Sequence, residues 1–113
     1  MKIKGYIKRP DKDPERVAVD HSLKWMSNVV GGPVGAIKIK LRSGKDISLM
    51  INSSGTFFGL PYNFTVCPTI DKKTYFDIVG PCVIVGRDDN DNIVSVDLDD
   101  KDLSELISYP YEI

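Results

Sequence analysis

The side chains best suited to nucleophilic or metal chemistry are few: one histidine, His21, and two cysteines, Cys67 and Cys82, in a chain of 113 residues. The cysteines stand fifteen residues apart, each beside a proline (Cys67-Pro68, Pro81-Cys82). That is neither a zinc-ligand spacing nor a C-x-x-C redox pair, so they read as buried, reduced thiols, with a disulfide as the alternative. His21 falls at the start of a helical pattern, a capping position, and nothing near it resembles a nucleophile elbow. Asp88, Asn90 and Asn92 alternate like the first ligands of an EF-hand loop, with Asp99 eleven residues after Asp88. The sixth position is Ile93 where that loop needs glycine, and the flanks read as strands, so a solvated hairpin turn is expected. Ser43-Gly44-Lys45-Asp46 has neither the upstream glycine nor the following hydroxyl of a phosphate loop. These patterns predict no catalytic residue, no metal site and no cofactor.

Charge is the stronger signal. Residues 1–45 hold eleven Lys and Arg against four Asp and Glu, whereas residues 46–113 hold four against twelve, so a net charge of −1 conceals segments of about +7 and −8. If the halves do not interleave, two opposed surfaces result. Lys2, Lys4 and Lys8 alternate along one strand pattern and Lys38, Lys40 and Arg42 along another. Side by side, these six cations with Tyr6 would attract an anion such as a phosphate; otherwise they are the solvated side of a half-buried sheet. A pI near 5.7 and the acidic second half weigh against nucleic acid. Thr56 opens the strand pattern Thr56-Phe57-Phe58, which the chain leaves through Gly59 to turn at Pro61, and on that turn Tyr62 and Asn63 could present a ring and an amide to a ligand, or the amide could serve the loop backbone. The expected ligand-binding residues are thus Lys38, Lys40, Arg42, Thr56, Tyr62 and Asn63.

The elements that must position them are mostly strands. Ile3, Gly5 and Ile7 alternate with Lys2, Lys4, Tyr6 and Lys8, predicting a half-buried strand with a basic outer face. Arg16-Val17-Ala18-Val19 returns after a polar, proline-bearing loop. Asp20 or Ser22 caps a helix of about ten residues with Leu23, Met26, Val29 and Val30 on its apolar face, and Gly31-Gly32-Pro33 ends it. Ile37, Ile39 and Leu41 make a second basic strand, which continues through residues 47–51 into a third strand at Thr56-Phe57-Phe58, a meander. Residues 75–85 read as two short strands or one bulged strand through the sheet centre, followed by a last strand from Ile93 to Leu98. Asp99 caps a final helix whose Leu103, Leu106 and Ile107 face the core. The fold class is α+β: a mostly antiparallel sheet of five to six strands with two short helices, one after the first hairpin and one C-terminal.

With 42% hydrophobic residues the chain can bury one core, so residues 1–113 are expected to form a single domain. The alternating start is no signal peptide and no apolar run reaches a membrane span, predicting a cytoplasmic protein without membrane contact. Asn52-Ser53-Ser54 and Asn63-Phe64-Thr65 are then chance glycosylation matches.

Four blocks in order over residues 23–86 resemble a family of small phage and mobile-element proteins, the domain-of-unknown-function family three-eight-four-six. They are a helix ending in Val30-Gly31-Gly32, an asparagine-led turn at Asn52 with Gly55, the segment Gly59-Leu60-Pro61-Tyr62-Asn63, and Asp77-Ile78-Val79-Gly80 running on to Val85. This chain departs from the family pattern after Gly-Gly, with Pro33-Val34-Gly35, and after the asparagine, with Phe64. The resemblance implies no known reaction and suggests a phage, prophage or conjugative-element origin in a bacterial cytoplasm. Together with the split charge and the lack of catalytic groups, it leads to the expectation of a non-enzymatic counter-defence protein. Its partner would be a small anionic ligand such as a cyclic nucleotide or ADP-ribose derivative, sequestered by a homo-oligomer. The alternative is an inhibitor that docks on a host defence or nuclease protein through a charged face.

Overall fold

Period-two alternation in the sequence becomes a sheet whose two faces are both covered. The computed structural model describes residues 2–66 and 76–107. In chain order the elements are β1 (Lys2–Lys8), β2 (Glu15–Asp20), α1 (Leu23–Val30), β3 (Val34–Lys40), β4 (Asp46–Asn52), β5 (Tyr62–Val66), β6 (Phe76–Val79), β7 (Cys82–Arg87), β8 (Ile93–Val94) and α2 (Asp100–Leu106). The main sheet has six antiparallel strands in the order β2-β1-β7-β4-β3, with β8 added beside β7, and β5 and β6 form a separate hairpin. The chain is therefore α+β, with one helix after the first hairpin and one near its end.

Each element has a local cause. Ser22 caps α1 by accepting from the Trp25 amide, and Gly31, at φ 80°, closes it in the left-handed conformation. Asp99 and Asp102 form a reciprocal capping box on α2. One sheet face packs Ile3, Ile7, Met50 and Val83 against Met26 and Val30 of α1. The other packs Tyr6, Leu49 and Ile84 against Phe64 and Ile78 of the β5–β6 hairpin and Leu106 of α2.

The sheet forks at β7. Tyr6, Ile7 and Lys8 of β1 pair with Ile84, Val83 and Cys82, while Gly86 and Arg87 pair with β8. Lys4 has left β7 by then and bonds instead to Ser95 and Val96. Gly5 and Gly86 sit where the strands part, and a Cβ on either would meet a backbone oxygen, Ile84 O at 2.6 Å or Ser95 O at 2.9 Å.

Several expectations are corrected. Thr56, Phe57 and Phe58 form a turn, so there is no three-strand meander, and the second neighbour of β4 is β7. The turn bonds Phe58 N to Ser54 O and Leu60 N to Gly55 O leave those residues no ladder to join. α1 has eight residues, and Leu23, expected on its apolar face, is 70% exposed. The last strand is only Ile93–Val94; Val96 and Leu98 beyond it are buried without a ladder. Lys8, expected on a solvated face, is 1% exposed, since the β5–β6 hairpin covers that face. Cys67 and Tyr75 lie outside the described residues.

Candidate functional site

The basic strands do not form one face. β1 and β3 are separated by β7 and β4. Tyr6 pairs through Ile84 and Leu49 with Ile37, which places Tyr6, Lys4 and Lys8 on the face that carries Ile37 and Ile39. Lys38 and Lys40 alternate with those isoleucines and point to the α1 face. The charge halves also interleave, because first-half strands occupy both edges of the sheet and second-half strands its centre. Ion pairs then cross the halves: Lys38 with Asp91, Lys45 with Asp102 and Arg16 with Asp97. Arg87 also reaches Asp91, at 3.0 Å.

The six expected ligand residues scatter. Lys38 is paired with Asp91. Lys40 and Arg42 are exposed, and the Arg42 amide donates to both carboxylate oxygens of Glu105. Thr56 is exposed on the turn before β5. The Tyr62 hydroxyl lies 2.7 Å from that of Thr65, which donates to Asp77. Asn63 is buried: its amide donates to Lys8 O and Gly80 O at 2.7 and 2.8 Å and its oxygen accepts from Lys8 Nζ at 2.9 Å. Lys38 and Lys40 share a face of β3 and Tyr62 and Asn63 are neighbours in β5, but these pairs lie on different elements, and Asn63 serves the backbone and a buried ammonium.

Elsewhere polar groups also serve the fold. Asp88 Oδ1 accepts from the Asn90 and Asn92 amides, the solvated turn the sequence predicts, and these bonds hold its carboxyl below the ordinary range. Among the described residues no cluster of His, Cys, Asp and Glu is arranged to hold a metal ion. Burial pushes the Cys82 thiol far up, disfavouring the thiolate. His21 precedes the Ser22 cap and is exposed.

The Lys45–Asp102 pair ties the β3–β4 turn to α2: Lys45 Nζ donates to Asp102 at 2.6 Å and to Asp97 O at 2.8 Å. This bond lowers the Asp102 pKa and raises that of Lys45. A depressed carboxylate adds stability above its unfolded pKa of about 4 that is lost as pH falls through the folded value; a raised ammonium adds stability below about 10.4 that is lost as pH climbs through its folded value. The melting temperature should therefore stay level through neutral pH and drop below about pH 4. Asp102→Asn should shrink that acid drop in thermal scans and lower the neutral melting temperature by several degrees; an unchanged acid limb would show that the pair carries no linkage.

Outward-facing features among the described residues include a cleft and an aromatic turn. An open cleft of ≈ 320 Å³ beside the β1–β2 loop is lined by Ile7, Arg9, Lys12, Asp13 and Glu15, with Arg9 and Glu15 paired at 3.4 Å. More conspicuous is the turn between β4 and β5, where Phe57 is 86% and Phe58 62% exposed. Their rings meet edge to face, centroids 5.3 Å apart. The turn is firmly built: Gly55 N, Phe58 N, Gly59 N and Leu60 N all bond within residues 52–60, and Gly59 takes φ +67°. Gly55 lies so close to β6 that a Cβ would stand 2.8 Å from Val79 Cγ2. Exposing two phenyl rings forgoes roughly 2 kcal/mol of burial each. Sequence reading missed this because Phe-Phe fits a strand; the glycines on either side were the available signal.

No helix is long and apolar enough to cross a membrane among the described residues. No curated protein and no solved structure matches the chain. A family model described as "Domain of unknown function (DUF3846)" matches residues 1–108, nearly the whole chain and all four blocks that carried the resemblance. Those blocks meet in pairs, the Asn52 amide donating to Val30 O at the end of α1 and Asn63 donating to Gly80 O, so this chain, which belongs to that family, spends its most recognisable residues on holding the fold together.

Proposed function

We propose that the chain is a non-catalytic binding domain that docks on a protein through the Phe57–Phe58 turn and inhibits it. The exposed, edge-to-face aromatic pair on a hydrogen-bonded turn carries this reading. A convex knuckle of two rings suits a partner with a concave apolar pocket, and aromatic anchors dominate interface energies. The turn is ordered before binding, so little ordering entropy opposes the complex. The resemblance to phage and mobile-element proteins supports a host defence or nuclease protein in the bacterial cytoplasm as the target. An apolar contact is favoured over charged-face docking because the cations lie on both faces of the sheet and Lys38 and Lys45 are ion-paired.

Phe57→Ser/Phe58→Ser should melt like the parent, since neither ring is buried, and should lose at least ~100-fold in affinity for the partner, a hot-spot effect. Titration calorimetry of both forms against a host protein that co-purifies with the parent chain tests this. Equal affinity of the two forms, or an affinity that collapses with added salt, would reject apolar docking.

A second reading, sequestration of a small anion such as a nucleotide signal, is favoured by the cleft, whose ≈ 320 Å³ falls in the range of ligand pockets. Arg9 and Lys12 suit an anion there, while Asp13 and Glu15 cancel their charge. A sequestered nucleotide at ~100 times its dissociation constant would add about 2.7 kcal/mol to stability, visible as a thermal shift that Arg9→Ala/Lys12→Ala abolishes.

A further inference from the structure

The main sheet ends at β3, and the hydrogen bonds of its inner side reveal what the outer side offers. Leu41 N donates to Lys45 O and Ser53 N to Pro33 O, so these are hydrogen-bonded pairs of the β3–β4 ladder. Such pairs recur every second residue, so Gly35, Ile37 and Ile39 also direct their backbone groups to β4. Val34, Ala36, Lys38 and Lys40 then direct theirs outward, and among the described residues no strand receives them. The β3–β4 register runs without a shift from Val34 to Lys40, and no proline interrupts it. Such an edge is a ready template for another strand.

We propose that the strand it receives is β3 of a second copy of this chain, antiparallel about a two-fold axis at Ile37. In that register Ala36 lies opposite Lys38 of the partner copy and Val34 opposite Lys40, and all outward backbone groups from Val34 to Lys40 find partners. No lysine stands directly opposite a lysine. A shift of the axis to Lys38 would oppose two ammonium groups, and a shift to Ala36 would leave Lys40 without a strand partner. Lys38 is paired with Asp91, which lessens its share of the repulsion that edge lysines normally supply. On the opposite face the two copies' Ile37 side chains meet as a close, non-hydrogen-bonded pair. Ile37 is half-buried against the cluster of Ile39, Leu49 and Phe64, so the core would continue from one copy into the next. This self-complementarity favours a second copy over an unrelated peptide, and it does not depend on docking through the aromatic turn.

Light scattering during gel filtration should give twice the 12.6 kDa chain mass at micromolar concentration. Ala36→Pro removes an outward amide that β4 does not use, so it should yield a folded monomer. Ile37→Cys should cross-link into a covalent dimer on mild oxidation, because the paired Cα atoms would stand about 4.5 Å apart, within disulfide reach. Lys40→Cys should not, since its counterpart lies about 20 Å along the ladder. The proposal is overturned by a parent chain that stays monomeric, by a dimer that survives Ala36→Pro, or by equal cross-linking at both positions. A complex of the parent with an extended peptide in place of a dimer would equally reject the second copy as occupant.

Discussion

Asn63→Ala is expected to destabilise the chain by about 3–5 kcal/mol, measured by urea unfolding. The amide holds Lys8 O and Gly80 O and accepts from a lysine ammonium that is 1% exposed. Alanine strips two buried carbonyls of their donor and the ammonium of one acceptor. Lys8 Nζ also donates to Arg9 O at 2.9 Å and lies 6.0 Å from the Phe64 ring centroid, so the charge is not abandoned altogether. Combining Asn63→Ala with Lys8→Met separates the contributions: with the ammonium gone, the same alanine change should cost about 2 kcal/mol less. A loss below ~1 kcal/mol in the parent background would mean that water replaces the amide and that the β5–β6 hairpin is not locked to β1.

The second large effect concerns Gly5. A methyl group there would stand 2.6 Å from Ile84 O, 3.0 Å from Val19 Cγ2 and 3.2 Å from Val85 Cγ1. Side chains can rotate away, but the carbonyl belongs to the central strand. Gly5→Ala should therefore cost about 2–4 kcal/mol, the upper range of overpacking, and should broaden amide resonances of β7 and β8. Gly44, with nothing within 4 Å of an added Cβ, isolates the backbone contribution: its φ of +93° makes Gly44→Ala a conformational penalty alone, about 1–2 kcal/mol. If Gly5→Ala costs no more than Gly44→Ala, the sheet yields at its fork.

The alternation in β1 was legible and its meaning was not. Period two separates Ile3 and Ile7 from Tyr6 and Lys8, but it does not say what lies over the second face, and here a hairpin more than fifty residues downstream covers it. Lys8 belongs to the wrong residue class for a core and is admitted because Asn63 receives it. Strand order was illegible for a related reason: β1 and β3 look alike in sequence, yet β7 and β4, two apolar runs from the acidic half, come between them. Helix ends were legible because their causes are local, as at Ser22, Gly31 and Asp99. The Phe57–Phe58 turn is hard to read because aromatic residues fit a strand, whereas the bonds that hold residues 52–60 in a turn are made by backbone groups that no side-chain pattern records.

The position of β7 also governs the order in which the chain can assemble. β1–β2 and β3–β4 are local hairpins, but each waits for residues 82–87, which bond to β1 on one side and β4 on the other. On the ribosome these two hairpins emerge first, linked through α1, and among the described residues the strand that bonds to both is made only when about three-quarters of the chain has been synthesised. Sequence-distant pairing of this kind slows folding towards the millisecond-to-second range of β-rich domains. The strand that completes the sheet is thus also its kinetic gate, and a nascent chain halted before Cys82 would be an aggregation hazard and not a partly working domain.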